Sequence, residues 1–275
     1  MLPFLNDLIQ RGLAEDIGSG DVTTEAVIPD DASASAEIKA KQDIVVAGID
    51  VAGEVFHHLD PSLSFEPLVP DGGATMPGTV LARLSGRTRY LLAGERVALN
   101  LLQHLCGIAT LTARYVEQVK GTKAAVLDTR KTLPGLRALE KYAVRMGGGR
   151  NHRFGLYDGV LIKDNHIIAA GSITKAVERA RQKTHHLLKI EVETTSIDEA
   201  REALAARADV IMLDNMPIAM MKEAVALIAN GALTEASGTI TLDTVRAVAE
   251  TGVDFISVGT ITHSAPAVDI SMKLK

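Results

Sequence analysis

The chain has no tryptophan and a single cysteine, and aromatic residues make up only 3% of its 275 positions. Each shortage excludes something. One thiol, Cys106, cannot close an intramolecular disulfide, and the doublets His57-His58 and His185-His186 are adjacent residues without zinc-ligand spacing. Four Tyr and five Phe are too few to build stacking platforms for single-stranded bases. No apolar run approaches the roughly 18 residues that a membrane span requires. The opening stretch MLPFLNDLIQRGLAED lacks a basic start and carries Asp7 among its apolar residues, which is not a signal-peptide pattern. Positive charge is also in deficit: 29 Lys plus Arg against 34 Asp plus Glu leave a net charge of -5, the wrong sign for coating nucleic acid. Together these absences predict a cytoplasmic protein that binds neither nucleic acid nor membrane.

What is present is an ordinary globular composition, 47% hydrophobic and 23% charged, at a length that suits one large domain or two. Leu2, Leu5, Leu8, Ile9 and Leu13 recur at three- and four-residue steps and predict an amphipathic helix over the first fifteen residues, closed by Ile17-Gly18-Ser19-Gly20. Short strands are expected over 34–40, 44–47, 63–69 and 79–85, the last two flanking the turn 70–73. From Thr88 to about Lys120 the pattern is helical, with an interruption expected near Gly107.

Beyond Lys120 the rhythm changes to short apolar strands at 124–128, 159–163, 187–193, 210–214, 233–237 and 255–259, with helical stretches between them. Helices are expected over 173–182, 197–206, 220–229 and 242–250, with Ser196 and Thr241 as N-caps. Alternation of this kind demands a parallel sheet with right-handed crossovers, and so many units in so short a span fit a closed or nearly closed barrel. Val268, Ile270, Met272 and Leu274 alternate with polar residues, as a strand completing the first domain's sheet would. The expected fold class is α/β, with an N-terminal domain over 1–107, to which 266–275 returns, and a barrel over 108–265.

Parallel α/β folds bind ligands at the carboxyl ends of their strands, so the residues closing each strand are the informative ones. They are Asp128 to Lys131, Lys163 to Asn165, Glu191 to Glu193, Asp214-Asn215, Ser237-Gly238 and Gly259-Thr260. Alternation around Glu193 puts Lys189, Glu191 and Glu193 on one face and Leu188, Ile190 and Val192 on the other. The apolar face meets the helices, so the charged one points into the barrel, where ions persist only when paired or met by a ligand. Glu193 with Asp214 suits a hard cation such as Mg²⁺ shared with substrate phosphate; internal pairing with nearby lysines is the alternative. Between Arg130 and Lys163 stand Arg130, Lys131, Arg137, Lys141, Arg145, Arg150, Arg153 and Lys163, against only Glu140 and Asp158. That surplus reads as a local anion trap for a ligand bearing carboxylate and phosphate. His152 adds a titratable donor, and Ser237-Gly238 with Gly259-Thr260 resembles a barrel phosphate cup.

These residues carry a family likeness. Leu127-Asp128-Thr129-Arg130-Lys131-Thr132, Pro134-Gly135-Leu136-Arg137, Glu140-Lys141-Tyr142-Ala143-Val144, Gly147-Gly148-Gly149-Arg150-Asn151-His152-Arg153 and Ile162-Lys163-Asp164-Asn165-His166 resemble the quinolinate phosphoribosyltransferases. The likeness extends from Glu15-Asp16-Ile17-Gly18-Ser19-Gly20-Asp21 to Phe255-Ile256-Ser257-Val258-Gly259. It implies an N-terminal α/β sandwich joined to an open α/β barrel, and a homodimer in which each active site borrows from its partner. It implies the reaction of quinolinate with phosphoribosyl pyrophosphate, assisted by Mg²⁺, to nicotinate mononucleotide, pyrophosphate and CO₂. By the resemblance, Arg130, His152, Arg153 and Lys163 hold the quinolinate carboxylates, and Arg96 comes from the neighbouring subunit. Lys131 lies beside the substrates, Glu193 and Asp214 face the ribose hydroxyls and metal, and Ser237, Gly238, Gly259 and His263 form the 5′-phosphate cup. Thr239 departs from the family pattern of Gly or Asn: either the cup keeps negative φ there or one amide contact is lost. The competing readings are a nicotinate-using or molybdate-operon enzyme on the same scaffold, and a non-catalytic phosphosugar-binding protein.

Overall fold

A computed structural model describes residues 3–275, so Leu2 of the expected first helix lies outside the described residues. The N-terminal portion runs α1 (Pro3–Ile17), α2 (Val22–Val27), β1 (Ser33–Ala40), β2 (Ile44–Val45), α3 (Ile49–Leu59), β3 (Ser64–Pro67), β4 (Ala74–Thr75), β5 (Val80–Arg87) and α4 (Thr88–Gln118). Then come β6 (Ala125–Leu127), α5 (Arg137–Met146), β7 (Val160–Ile162), α6 (Asp164–Ala170), α7 (Ile173–Lys183), β8 (Ile190–Thr194), α8 (Ile197–Ala205) and β9 (Val210–Asp214). The chain ends with α9 (Ile218–Ile228), β10 (Leu233–Ser237), α10 (Val245–Ala249), β11 (Phe255–Ser257), α11 (Thr260–His263) and β12 (Ile270–Leu274). Two compact units result: one reaches Leu111 and adds Pro134–Gly148 and Ala265–Lys275, the other comprises Thr112–Leu133 and Gly149–Ser264.

The first unit is built on an antiparallel sheet of order β12-β1-β5-β3. The C-terminal strand does return to it, with Ile38 of β1 opposite Met272 on one side and Ala82 on the other. Leu5, Ile9 and Leu13 of α1 and Ile49, Ala52, Val55 and Phe56 of α3 are buried at helical spacing, and the rings of Phe56 and Phe65 stack with centroids 6.1 Å apart. Helix α4 does not break at Gly107. That position is glycine because a Cβ there would lie 2.2 Å from the carbonyl oxygen of Pro266, where the returning chain passes.

Residues 134–148, expected within a continuous 108–265, cluster with the first unit instead. Helix α5 is anchored there by polar contacts: His104 Nε2 lies 3.0 Å from the buried Glu140, and the Tyr142 hydroxyl donates to Asp71 at 2.5 Å. Leu139, Ala143 and Val144 bury its apolar side.

The second unit is a six-stranded parallel sheet of order β6-β11-β10-β9-β8-β7. Its strands overlap the six expected, with β8 starting at Ile190 rather than at 187, and the sheet is an open barrel whose terminal members are β6 and β7. Register places Asp214 at the end of β9 beside Ser237 at the end of β10. Ser196 caps α8 by accepting from the Glu199 amide, as expected. Thr241 does not cap α10, which starts only at Val245; residues 241–244 form a turn in which the Thr241 amide donates to Thr244 Oγ1. Among the described residues no helix is long and apolar enough to cross a membrane.

Candidate active site

A cavity of about 570 Å³ opens at the carboxyl ends of the barrel strands, all of its lining drawn from the second unit. It collects Arg130, Lys131, His152, Arg153, Lys163, Glu193, Asp214, Ser237, Gly238 and Gly259, all marked out by the sequence. Two expected residues are not part of its lining. His263 is exposed on α11, where a Cβ on Gly259 would lie 3.3 Å from its ring, and Arg96 is exposed on α4 in the first unit. Lining residues that the sequence reading passed over include Glu235, Met212 and Ser257, and Asn215, marked as a strand end, was given no role.

The cation surplus does not act as one cluster. Arg130, Lys131, Arg153 and Lys163 line the cavity, whereas Arg137, Lys141 and Arg145 belong to α5 in the first unit and Arg150 is exposed. A window counted along the chain could not see that the chain leaves the barrel between Pro134 and Gly148.

Buried Asp128, just past β6, places the loop that carries two of these residues. Its Oδ2 accepts from Asn151 Nδ2 at 2.6 Å and its Oδ1 from the His152 amide at 2.8 Å. Arg153 then reaches along the wall, donating from Nη1 to the carbonyl of Gly159 at 2.8 Å. Burial first, and the neighbouring positive charge of Arg130 second, pull the Arg153 pKa down, and both guanidinium groups line the same cavity. Lys163 Nζ donates to Glu193 Oε2 at 2.5 Å, the lysine pairing that the sequence held open as the alternative to a metal. Lys131 is fixed through its backbone: its amide donates to Thr129 Oγ1 and its carbonyl accepts from the Thr262 hydroxyl at 2.7 Å. Gly259 makes room for that side chain, since a Cβ there would sit 3.1 Å from Lys131 Cδ.

The inward face expected of β8 is realised for Glu191 and Glu193, with Ile190 and Val192 at 1% and 0% exposure on the opposite side, but Lys189 precedes the strand, exposed and against a separate cavity. Glu191 points inward to His152, whose Nε2 donates to it at 2.9 Å and lies 3.7 Å from Glu235. His152 Nδ1 accepts the Arg153 amide at 2.7 Å, which fixes the neutral tautomer with its proton on Nε2. Both ring nitrogens therefore have protein partners, and His152 also lines the cavity. Glu235 is 2% exposed; burial, then the charge of Glu191, push its carboxyl up to about 8. Its signal was available: on β10, Glu235 and Ser237 alternate inward as Glu191 and Glu193 do on β8.

The chain takes left-handed backbone at Gly238 after β10, φ 125, and at Asn215 after β9, φ 52, while Thr239 keeps negative φ. Of the two outcomes open for Thr239, the first therefore holds. Its amide is engaged as well, donating to Asn215 Oδ1 at 3.3 Å.

Comparison with known proteins agrees with this geometry. Residues 21–106 and 108–273 match the N-terminal and C-terminal domains of quinolinate phosphoribosyl transferase. A probable nicotinate-nucleotide pyrophosphorylase (carboxylating) of Bacillus subtilis (strain 168) is 48% identical over 98% of this chain and 92% of its own length. The chloroplastic nicotinate-nucleotide pyrophosphorylase (carboxylating) of Arabidopsis thaliana is 44% identical over 98% of this chain and 82% of its own. Among solved structures, NadC from Streptococcus pyogenes, 43% identical, gives a TM-score of 0.96 over 100% of this chain and 98% of that one.

Proposed function

The chain belongs to the quinolinate phosphoribosyltransferase family, and on that premise we propose that it transfers the phosphoribosyl group of phosphoribosyl pyrophosphate to the quinolinate nitrogen with loss of CO₂. The products are pyrophosphate and nicotinate mononucleotide, as de novo NAD synthesis in the cytoplasm requires. One observation carries the reading: four cationic side chains and two strand-end carboxylates share a single cavity. Quinolinate and phosphoribosyl pyrophosphate repel one another, and such a cavity is what brings them together.

Arg130, Arg153 and Lys163 take the two quinolinate carboxylates, with Arg96 supplied by a second copy of the chain in a homodimer. Ser237, Gly238, Gly259 and His263 receive the 5′-phosphate, and Lys131 faces the departing pyrophosphate. As the anomeric C–O bond breaks, positive charge gathers on the ribose, where Glu193 and Asp214 stabilise it. The pyridine nitrogen then bonds to the anomeric carbon, and no protein nucleophile is needed. The bond from C2 to its carboxylate breaks next, its electron pair staying on C2 beside the cationic nitrogen until a proton replaces CO₂. Glu193 and Asp214 also fit Mg²⁺: they are oxygen donors at the ends of neighbouring strands, and among the described residues only Lys163 forms an ion pair with Glu193. Bound there, the ion supplies charge neutralisation to the leaving group.

The purified protein with Mg²⁺ and phosphoribosyl pyrophosphate is expected to release one CO₂ and one pyrophosphate per quinolinate and to leave nicotinate untouched. Equal turnover of nicotinate overturns the assignment in favour of a non-decarboxylating enzyme. Tight binding without pyrophosphate release overturns it in favour of a binding protein.

A further inference from the structure

Asn215 follows the last residue of β9 and lies among the cavity residues that the sequence left without a role. Its φ of 52 is left-handed, a conformation that Asn tolerates better than most residues. The other non-glycine residues of positive φ among those described are Arg207 and Ala229, which line a separate cavity with Lys189 and Asp209. The Asn215 amide donates to the carbonyl of Ser237 at 2.9 Å, carrying the β9–β10 ladder one step past the Asp214–Ser237 pair. That turn sends the side chain back across the strand ends. Its Nδ2 donates to Asp214 Oδ2 at 2.8 Å, while its Oδ1 accepts from the Thr239 amide at 3.3 Å. The glycine between Ser237 and Thr239 belongs to the same arrangement, because a Cβ on Gly238 would fall 2.5 Å from Asn215 Oδ1. One carboxamide thus ties the Asp214 carboxylate to the loop 237–239.

We infer that Asn215 is a positioning residue for the phosphoribosyl group, holding the Asp214 carboxylate at a fixed orientation and distance from the phosphate-cup loop. The inference rests on the reading that this cavity takes phosphoribosyl pyrophosphate. In that substrate the ribose hydroxyls and the 5′-phosphate are joined covalently, so both must be met at once, and a site whose two halves drift independently loses effective molarity. With one lone pair of Oδ2 occupied by Nδ2, the plane of the Asp214 carboxylate is held and its other lone pairs stay available. A residue that merely shaped the turn would act through its backbone alone, and removing its side chain would leave phosphoribosyl binding as it was.

Asn215→Gly makes that separation, since glycine adopts φ 52 without strain while the carboxamide disappears. Asn215→Asp keeps an acceptor for the Thr239 amide but sets a second carboxylate beside Asp214. Calorimetric Kd for phosphoribosyl pyrophosphate with Mg²⁺, steady-state KM for each substrate, kcat and Tm are measured for both variants and the wild type. Expected for both variants is a loss of tenfold or more in phosphoribosyl pyrophosphate affinity with a fall in kcat, while KM for quinolinate stays within threefold. An Asn215→Gly protein that binds phosphoribosyl pyrophosphate within twofold of wild type overturns the inference and leaves the proposed reaction standing. So does a parallel loss for both substrates. If Asn215→Gly is unfolded, wild-type affinity in Asn215→Asp overturns it equally. A wild-type protein that binds no phosphoribosyl pyrophosphate overturns the proposed reaction and this inference with it.

Discussion

Replacing Glu235 by Gln tests whether the cavity floor holds a proton in the folded state. Glu235 is 2% exposed and shares the His152 imidazole with Glu191, so ionising it would place a second negative charge in the same buried space. Its carboxyl is accordingly raised from 4.5 to about 8. A folded pKa above the unfolded one means that the folded chain binds more protons within that window. Stability is therefore fully present below the unfolded value, is lost as pH rises through the window, and levels off above it. At 1.36 kcal/mol per unit, the loss is on the order of 3 to 5 kcal/mol. Glu235→Gln keeps the shape and a neutral head, so its unfolding free energy should match wild type at about pH 5 and exceed it by several kcal/mol at about pH 9. Urea denaturation across that range gives the difference curve, in which the titrations common to both proteins cancel. A flat curve, with less than about 1 kcal/mol between its ends, refutes the reasoning and requires Glu235 to be ionised in the folded chain.

Three further outcomes follow from the site. Arg130→Ala should cost on the order of 3 to 5 kcal/mol in transition-state binding, or roughly two to four decades of kcat/KM for quinolinate, by stranding a desolvated carboxylate; a change below about tenfold removes Arg130 from the site. Asp128→Ala releases the Asn151 side chain and the His152 amide together, so unfolding free energy should drop by about 2 to 4 kcal/mol and kcat/KM by at least about tenfold. A wild-type melting temperature would show that the loop is held elsewhere. Arg96→Ala and Lys163→Ala should each be inactive, yet regain activity when unfolded and refolded together, because a mixed dimer restores one intact site. No recovery on mixing, with dimers formed, counts against sites shared between subunits.

The barrel was legible because buried parallel strands read as short apolar runs, each closed by a polar residue at the mouth. Val210–Asp214 and Leu233–Ser237 appear where the pattern put them. What escaped was structure whose cause lies far along the chain. Helix α3 starts at a left-handed Gly48, and the amides of Gly48 and Ile49 are capped by the carboxylate of Asp71, over twenty residues later. Helix α5 buries Glu140 and Lys141 beside its apolar side chains, so its hydrophobic face is masked by charge. The site divides in the same way. Alternation along β8 says which way Glu191 faces, but not that His152 meets it there, because that depends on the Asp128 clamp just past β6. Asn215 left no periodic signal, since its role comes from a left-handed turn rather than from a strand face.

The polar pairs of the cavity fall into two kinds, and their burial says which a substrate can exchange. Lys163 and Glu193, with side chains 47% and 14% exposed, form a pair at the rim, where a surface ion pair contributes about 1 kcal/mol or less. A carboxylate arriving at Lys163 replaces one anionic partner with another and frees Glu193 at small cost. His152 and Glu191, 14% and 9% exposed, are paired at the floor with the imidazole fixed from its far side by the Arg153 amide, and breaking that pair would strand a buried carboxylate. In the proposed reaction the substrate anions would be met at the rim and along the wall, by Lys163, Arg130 and Arg153. The floor, where Glu191 and Glu235 flank His152, is the base against which the exchangeable cations are set.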